Sequence, residues 1–250
     1  ERPREATDPA RAGAHRLATA RMENYTDLKR IGRGSYGTVF LARDVRDGRD
    51  YCLKQIGLEA YTAEERAVAL REVDVLRTLD HPGIVRYHEH FQHEDTLCVV
   101  MAYCEGGDLS VEIKRRAKGN RHFTEQEVLE WFVQIVMALR YVHYKRILHR
   151  DLKTQNIFIT KTLVKIGDFG IAKVMEGSLT AASTFIGTPY YMSPEACQNQ
   201  PYSYQSDVWA LGCILYEMCA LQQARAIIGQ PGVSPCAPRR QHGAPLAGVE

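Results

Sequence analysis

The sequence has no long apolar run. Nothing approaches the ~18 residues that a membrane-crossing helix needs, and the longest candidate, 208–216, has only the length of a buried element. It has no excess of one charge either: 32 Lys plus Arg stand against 30 Asp plus Glu, a formal net charge of +2. That balance argues against a nucleic-acid binder working by bulk charge. It has no CxxC pair. The seven cysteines are scattered and odd in number, which speaks against a metal site or a disulfide framework and for a reduced, intracellular chain. Residues 1–21 carry no apolar stretch of the secretory kind, and Glu1, Glu5 and Asp8 speak against a mitochondrial transit peptide. No internal repeat is present. These absences leave a cytoplasmic protein as the expectation, with neither a nucleic acid nor a membrane as partner.

What is there is an ordinary globular composition, 45% apolar, 25% charged and 9% aromatic over 250 residues. That is enough for one or two domains with a sizeable core. Residues 1–24 show no apolar periodicity and read as a disordered N-terminal extension, with Met22 as the usual initiator and 1–21 upstream of it. From 25 to 221 the patterning is dense. Segments 38–43 and 50–56 alternate like strands, with Asp47-Gly48 between them as a hairpin signal. Thr62 followed by Glu65 is a capping box opening a helix with Val68, Val73, Val75, Leu76 and Leu79 mostly on one side. A short apolar strand is expected over 96–101. Thr124 followed by Glu127 opens a long amphipathic helix through Val128, Phe132, Ile135, Leu139 and Val142. Segments 156–160 and 163–166 predict a second hairpin. Residues 206–221 are apolar almost all round, as in a helix buried on every side. Strands crowd the first third and helices the rest, which predicts an α+β fold with two unequal lobes. Residues 222–250 hold four Gly and four Pro in 29 residues and read as a disordered tail.

Three stretches carry chemistry. Gly32-Arg33-Gly34-Ser35-Tyr36-Gly37-Thr38-Val39 is a GxGxxGxV loop, in which glycines let backbone N–H groups approach phosphate oxygens. The same pattern occurs in dinucleotide-binding folds, but there it opens a helix; here a β-branched strand follows. An ordinary glycine turn is the plain alternative. Lys54 lies on an alternating strand and would ordinarily face solvent; a functional role needs a counter-ion, and Glu72 in the following helix is a candidate. The third stretch is His149-Arg150-Asp151-Leu152-Lys153-Thr154-Gln155-Asn156, a polar loop between an apolar helix and an apolar strand. Asp151 could orient a hydroxyl and accept its proton. Asn156 could bind a divalent metal, and Lys153 could neutralise a transferring phosphate. Asp168-Phe169-Gly170, twelve residues beyond Asn156, offers a second oxygen ligand for Mg2+. Without that addition the loop could be no more than a solvated surface.

With these elements in order, the chain resembles a eukaryotic protein kinase over 25–221: Gly-rich loop, strand Lys, HRDLKxxN, DFG and Ser193-Pro194-Glu195. DLKTQN is similar to the serine/threonine class. HRDLKTQNIFIT, GTPYYMSPE, YCEGGDL and SDVWALGCILYEMC together resemble the NIMA-related kinases. The resemblance implies a two-lobed fold, a β-rich lobe over about 25–101 and a helical lobe over about 105–221. It also implies ATP and Mg2+ as cofactors and a protein Ser/Thr hydroxyl as acceptor. Lys54 would hold the α/β-phosphates and pair with Glu72. Asp151 would be the catalytic base, Lys153 would contact the γ-phosphate, and Asn156 and Asp168 would bind Mg2+. Ile31, Gly32, Arg33, Gly34, Ser35, Tyr36, Gly37 and Val39 would cover the nucleotide. Val39, Cys52 and Phe158 would sandwich adenine, though plain core packing is equally natural for Val39 and Phe158. Met101 would be the gatekeeper, and Ala102 and Cys104 would offer backbone groups to the base. Residues 171–193 would form the activation segment, with Thr184 as its regulatory phosphorylation site facing Arg150 and Lys173, and Thr188 bracing Asp151 and Lys153. Ile171 hints at a Thr acceptor. Nuclear or cytoskeletal association and the oligomeric state stay open.

The resemblance stops after Leu221, where the family continues with further helices. The chain therefore reads as a C-terminally truncated form, produced by alternative splicing or a shifted frame. On that reading Glu195 lacks an ion-pair partner. Losing burial for half of Val208, Trp209, Leu211, Ile214, Leu215 and Met218 would forfeit on the order of 5–9 kcal/mol. An active kinase and a truncated form that binds ATP or competes for partners without turnover are then the two readings to separate.

Overall fold

The computed structural model describes residues 22–34, 37–169, 190–198 and 200–223. A 3-10 turn, Met22–Asn24, leads into a five-stranded antiparallel sheet. Its strands are β1 (Tyr25–Gly34), β2 (Gly37–Asp44), β3 (Asp50–Gly57), β4 (Tyr87–His93) and β5 (Thr96–Ala102), in the spatial order β1-β2-β3-β5-β4. The β2–β3 hairpin closes where Asp47-Gly48 predicts. Gly48 sits at φ 69°, and the Asp47 carboxylate accepts bonds from the Arg49 N–H and the Tyr51 hydroxyl.

Helix α1 (Ala63–Arg77) crosses between β3 and β4. Its capping box is complete: the Thr62 hydroxyl accepts from the Glu65 N–H, and the Glu65 carboxylate accepts from the Thr62 N–H. The buried face is Ala69, Val73 and Leu76, continued by Leu79 past the helix end. Val75 is 39% exposed and not on the core side that the sequence predicts, because it lies a third of a turn away from that stripe.

The second half is mainly helical. It contains α2 (Leu109–Lys118), α3 (Glu125–Tyr144), a two-stranded sheet of β6 (Ile157–Ile159) and β7 (Val164–Ile166), then α4 (Pro194–Cys197) and α5 (Tyr204–Ala220). Thr124 and Glu127 cap α3 reciprocally, and Val128, Ile135, Leu139 and Val142 are buried as their spacing predicts. The architecture is α+β, with the β-rich part first and the helical part second.

Helix α5 departs from its reading. Leu211, Ile214 and Met218 are buried, but Val208 is 56% and Trp209 38% exposed, so the helix is not covered on every side. Two of the six apolar residues are exposed. The Glu195 carboxylate accepts a 2.7 Å bond from the Ser206 hydroxyl, which is the main reason its pKa is lowered. Among the described residues no helix is long and apolar enough to cross a membrane, and no group of three or more His, Cys, Asp or Glu could hold a metal ion.

Candidate active site

The sheet sets one wall of the site through its register. Val39 stands opposite Lys54, Cys52 opposite Met101 and Lys54 opposite Val99. Period-two alternation therefore puts Val39, Cys52, Lys54, Val99 and Met101 on one face. The other face carries Ala42, Leu53, Cys98 and Val100, which pack with Tyr25 and Phe91 into a separate apolar cluster. Lys54 is buried, not solvent-facing, and its ammonium pairs with the Asp168 carboxylate 114 residues on. Glu72, the counter-ion suggested by the sequence, lies on α1 with its side chain outside the described residues. Lys54, Val99, Met101, Asp168 and Phe169 line one cavity between sheet and second half.

The base of the glycine loop is a close backbone approach. A Cβ on Gly37 would come within 1.9 Å of the Gln55 carbonyl oxygen on β3, so only glycine fits there. Gly32 pairs with Val39, and Ile31 and Arg33 are exposed; Gly34 pairs with Gly37, while Ser35 and Tyr36 fall outside the described residues. Cys52 is deeply placed. Burial first, then the charges of Asp168 and Cys104, push its thiol up to about 12, so it stays protonated. Cys104 is raised to about 11, mainly by burial. The Ala102 N–H is spent on the Arg86 carbonyl, so of its backbone groups only the carbonyl could meet a base. Phe158, across the cleft on β6, bridges to Asp108, and its ring closes over Gly167.

The loop between α3 and β6 contains only one short regular element, a 3-10 turn at Thr154–Asn156, and is held by side-chain bonds. Lys153 Nζ pairs with Asp151 Oδ2 at 2.7 Å. The Asn156 amide donates to the Asp151 carbonyl at 2.7 Å and to Asp151 Oδ2 at 2.9 Å. The same Asn156 accepts the Gly167 N–H through its backbone carbonyl at 3.0 Å. Residues 151, 153 and 156 are thus bound to one another and to the strand end that delivers Asp168. His149 is fully buried. Its Nε2 meets the Gly167 carbonyl at 3.2 Å, and its Nδ1 accepts from the Asp151 N–H at 3.3 Å. That pairing assigns the neutral Nε2–H tautomer, and burial keeps the imidazole's pKa below its usual value.

Two residues that the sequence reading did not single out anchor the loop from α5. Asp207 is 0% exposed and accepts the His149 N–H at 3.0 Å, the Arg150 N–H at 3.1 Å and the Tyr202 hydroxyl at 2.6 Å, with His143 Nε2 at 2.8 Å. Those bonds hold Arg150 at φ 65°, a left-handed conformation that an arginine adopts only under constraint; Asp168 is left-handed too, at φ 52°. Glu217, 3% exposed, accepts bonds from the Thr154 and Tyr191 hydroxyls. For Glu217 the available signal was a charged residue inside an apolar run, since a buried carboxylate needs several donors; Asp207, in the first turn of α5, follows polar residues and carries no such signal. Thr184, Thr188, Ile171 and Lys173 fall outside the described residues.

Asp168 and Asn156 offer hard oxygen donors, and their backbones are joined by the hydrogen bond from the Gly167 N–H to the Asn156 carbonyl. They fit a cation that arrives with phosphate better than one caged by protein alone.

Comparison with known proteins agrees with this arrangement. A family model described as "Protein kinase domain" matches residues 25–226. Serine/threonine-protein kinase Nek1 of Mus musculus is 50% identical over 204 residues, 81% of this chain and 17% of that protein. Nek4 of Mus musculus is 52% identical over 202 residues, covering 80% and 25%, and Nek5 of Homo sapiens 44% identical over 203 residues, covering 80% and 28%. The chain spans between about a sixth and just over a quarter of the length of these relatives. It belongs to the protein kinase domain family, and within that family it is similar to the Nek kinases.

Proposed function

We propose that the chain is an ATP- and Mg2+-dependent serine/threonine protein kinase that transfers the γ-phosphate of ATP to a protein hydroxyl. The observation that carries this reading is the junction at Gly167. Its N–H bonds the Asn156 carbonyl and its own carbonyl meets His149, which supports a site shared by the Asp151–Lys153–Asn156 cluster and the Lys54–Asp168 pair. Asn156 and Asp168 would hold Mg2+, Lys54 the α/β-phosphates, and Val39, Cys52, Phe158 and the backbone of 102–104 the adenine. Bound Mg·ATP supplies the phosphoryl group and a neutralising cation.

The chain's own residues do the rest. Asn156 and Lys153 fix one oxygen of the Asp151 carboxylate, which orients an acceptor hydroxyl and takes its proton. Lys153, on the same side, offsets the charge that develops on the transferred group. Phosphoryl transfer through a loose transition state demands placement and charge neutralisation more than covalent chemistry, and these groups are set out for both. Thr184 is the proposed regulatory site, where a phosphate would add about −1.5 to −2 of charge near Arg150.

The test is Mg·ATP-dependent thermal stabilisation of the whole chain, with Asp168→Ala as control, followed by labelled phosphate transfer to Ser and Thr peptides. Ligand at 100 times its Kd adds about 2.7 kcal/mol. A shift that survives Asp168→Ala, or no transfer to either peptide, would count against the reading. The exposed Val208 and Trp209 favour a second reading, in which a weakened helical lobe binds Mg·ATP without turnover. Stabilisation by nucleotide with no transfer would select it.

A further inference from the structure

We propose that residues 224–230 of this chain run back along α5 and cover its exposed apolar face, with Ile227 and Ile228 seated beside Val208 and Trp209. The inference goes beyond the kinase reading and does not depend on it.

The face is a continuous stripe. Tyr204, Val208 and Gly212 follow one another at intervals of four, so they share one side of α5, and Trp209 lies beside them. Tyr204, Val208 and Trp209 are exposed, although the other side of the same helix, through Ala210, Ile214 and Met218, is buried. A Cβ added to Gly212 would meet nothing within 4 Å. Glycine is a poor helix residue, and here it relieves no local contact, so its use is to leave the backbone open to a close neighbour. The exposed positions of α5, Gln205 and Cys219 among them, are all uncharged.

The chain itself supplies the occupant. Leu221 ends α5 in a left-handed conformation, φ 52°, with its side chain buried in the main core. Such a cap turns the chain off the helix axis, and a leucine adopts it only under constraint, so the direction of exit is fixed. Residues 224–250, outside the described ones, follow directly after Gln223. Their one adjacent pair of large apolar residues is Ile227-Ile228. Val208 lies about 20 Å back from Leu221 along the helix, at a rise of roughly 1.5 Å per residue. An extended chain covers that distance in about six or seven residues at roughly 3.3 Å each, which is how far Ile227 and Ile228 stand from Leu221. Between 222 and 238 only Arg225 is charged, so a nearly neutral segment meets a neutral face. A tether this short holds the pair at an effective concentration in the millimolar range, which places it ahead of a second copy at micromolar concentration.

The test uses the whole 250-residue chain. Ile227→Ser combined with Ile228→Ser should lower the melting temperature by at least ~4 °C, while Leu246→Ser, further along the tail, leaves it within about 1 °C. Ile227→Val with Ile228→Val should lose less than half as much as the Ser pair. Adding Val208→Ala to the Ser pair should cost less than the sum of the two separate losses. Position is read from Trp209 fluorescence in a Trp131→Phe background. Acrylamide should quench Trp209 at least ~2-fold less efficiently with the isoleucines present than in the Ser pair, at every protein concentration. Serine in the tail adds no apolar surface, so a Ser pair that fails to fold also reports a docked segment. Equal melting and equal quenching in wild type and Ser pair would overturn the proposal. A lowered melting temperature without a change at Trp209 overturns it too, because the pair then sits elsewhere. Protection of Trp209 that disappears on dilution assigns the face to a second copy, and a loss reproduced by Leu246→Ser assigns the effect to tail composition; either result rejects the docked segment.

Discussion

In the five-stranded sheet, Lys54 is placed by alternation: Leu53 points into one apolar cluster, so Lys54 must point to the other face, opposite Val39 and Val99. In the loop 149–156 no such rule operates. Asp151, Lys153 and Asn156 are placed by one another and by Asp207 and Glu217, which lie about 60 residues further along the chain. The sheet spreads its specification over many small apolar contacts, whereas the loop concentrates it in a few buried polar bonds. Loss of one contact should therefore degrade the sheet gradually and the loop sharply.

Paired substitutions test this first, and here the largest effect is expected. Asp207→Ala leaves the His149 N–H, the Arg150 N–H and the Tyr202 hydroxyl without their buried acceptor. At ~1–3 kcal/mol for each orphaned group, the loss is about 4 kcal/mol or more. Leu53→Ala should cost about 2–5 kcal/mol as a cavity in the sheet's outer cluster. The two overlap in stability and should separate in function. Turnover per folded molecule, measured at low temperature, stays near wild type for Leu53→Ala and falls on the order of 100-fold for Asp207→Ala, whose removal frees Arg150 from its strained backbone. Equal turnover in the two folded variants would erase the distinction between the regions.

A smaller effect probes a place where the sheet depends on one close backbone approach. Gly37→Ala forces a methyl against the Gln55 carbonyl, and β2 must move away from β3 at the root of the glycine loop. Overpacking of this kind costs about 1–3 kcal/mol. Mg·ATP stabilisation should weaken along with the melting temperature, because the loop hangs from this contact. A variant that melts like wild type would mean that the close approach is not what fixes the loop.

The same contrast decides what was legible beforehand. Capping boxes at Thr62 and Thr124, the Asp47-Gly48 turn and the alternation of 50–56 are local patterns, and each appears in the structure where the sequence puts it. β4, with the sequence YHEHFQH, was missed because its polar residues hide the period; it is a strand because β5 pairs with it. α2 was missed because its last turns are basic, although Asp108 caps it by accepting the Val111 N–H. At the site, Lys54, Asp151, Lys153, Asn156 and Asp168 stand out because functional residue types cluster in short motifs. Asp207 and Glu217 do not, because the partners that give them their role lie about 60 residues away in the chain. The exposure of Val208 and Trp209 on α5 was invisible for the opposite reason: hydrophobicity shows what could be buried, not what covers it.

The smallest predicted effect is a pH dependence that belongs to the loop and not to the sheet. His149 is neutral in the fold because burial outweighs the opposing pull of the Asp207 and Asp151 carboxylates, so its folded pKa lies below the unfolded value of about 6.5. Between those two values the unfolded chain binds the proton and the folded chain does not. Stability is therefore full above about pH 6.5 and falls as the pH drops below it, with a limiting slope of about 1.4 kcal/mol per pH unit for one such group. His81 adds a component of the same sign, its pKa lowered by burial first and the Lys165 charge second. Melting temperatures from pH 7.5 to 5.5 should decline for the wild type and decline less for His149→Asn, which has no ring to protonate. His81→Asn should remove only the remainder. If the His149→Asn slope matched the wild type, the proton would be taken up elsewhere. The loop would then gain its rigidity from Asp207 without the neutral imidazole that links Asp151 to Gly167.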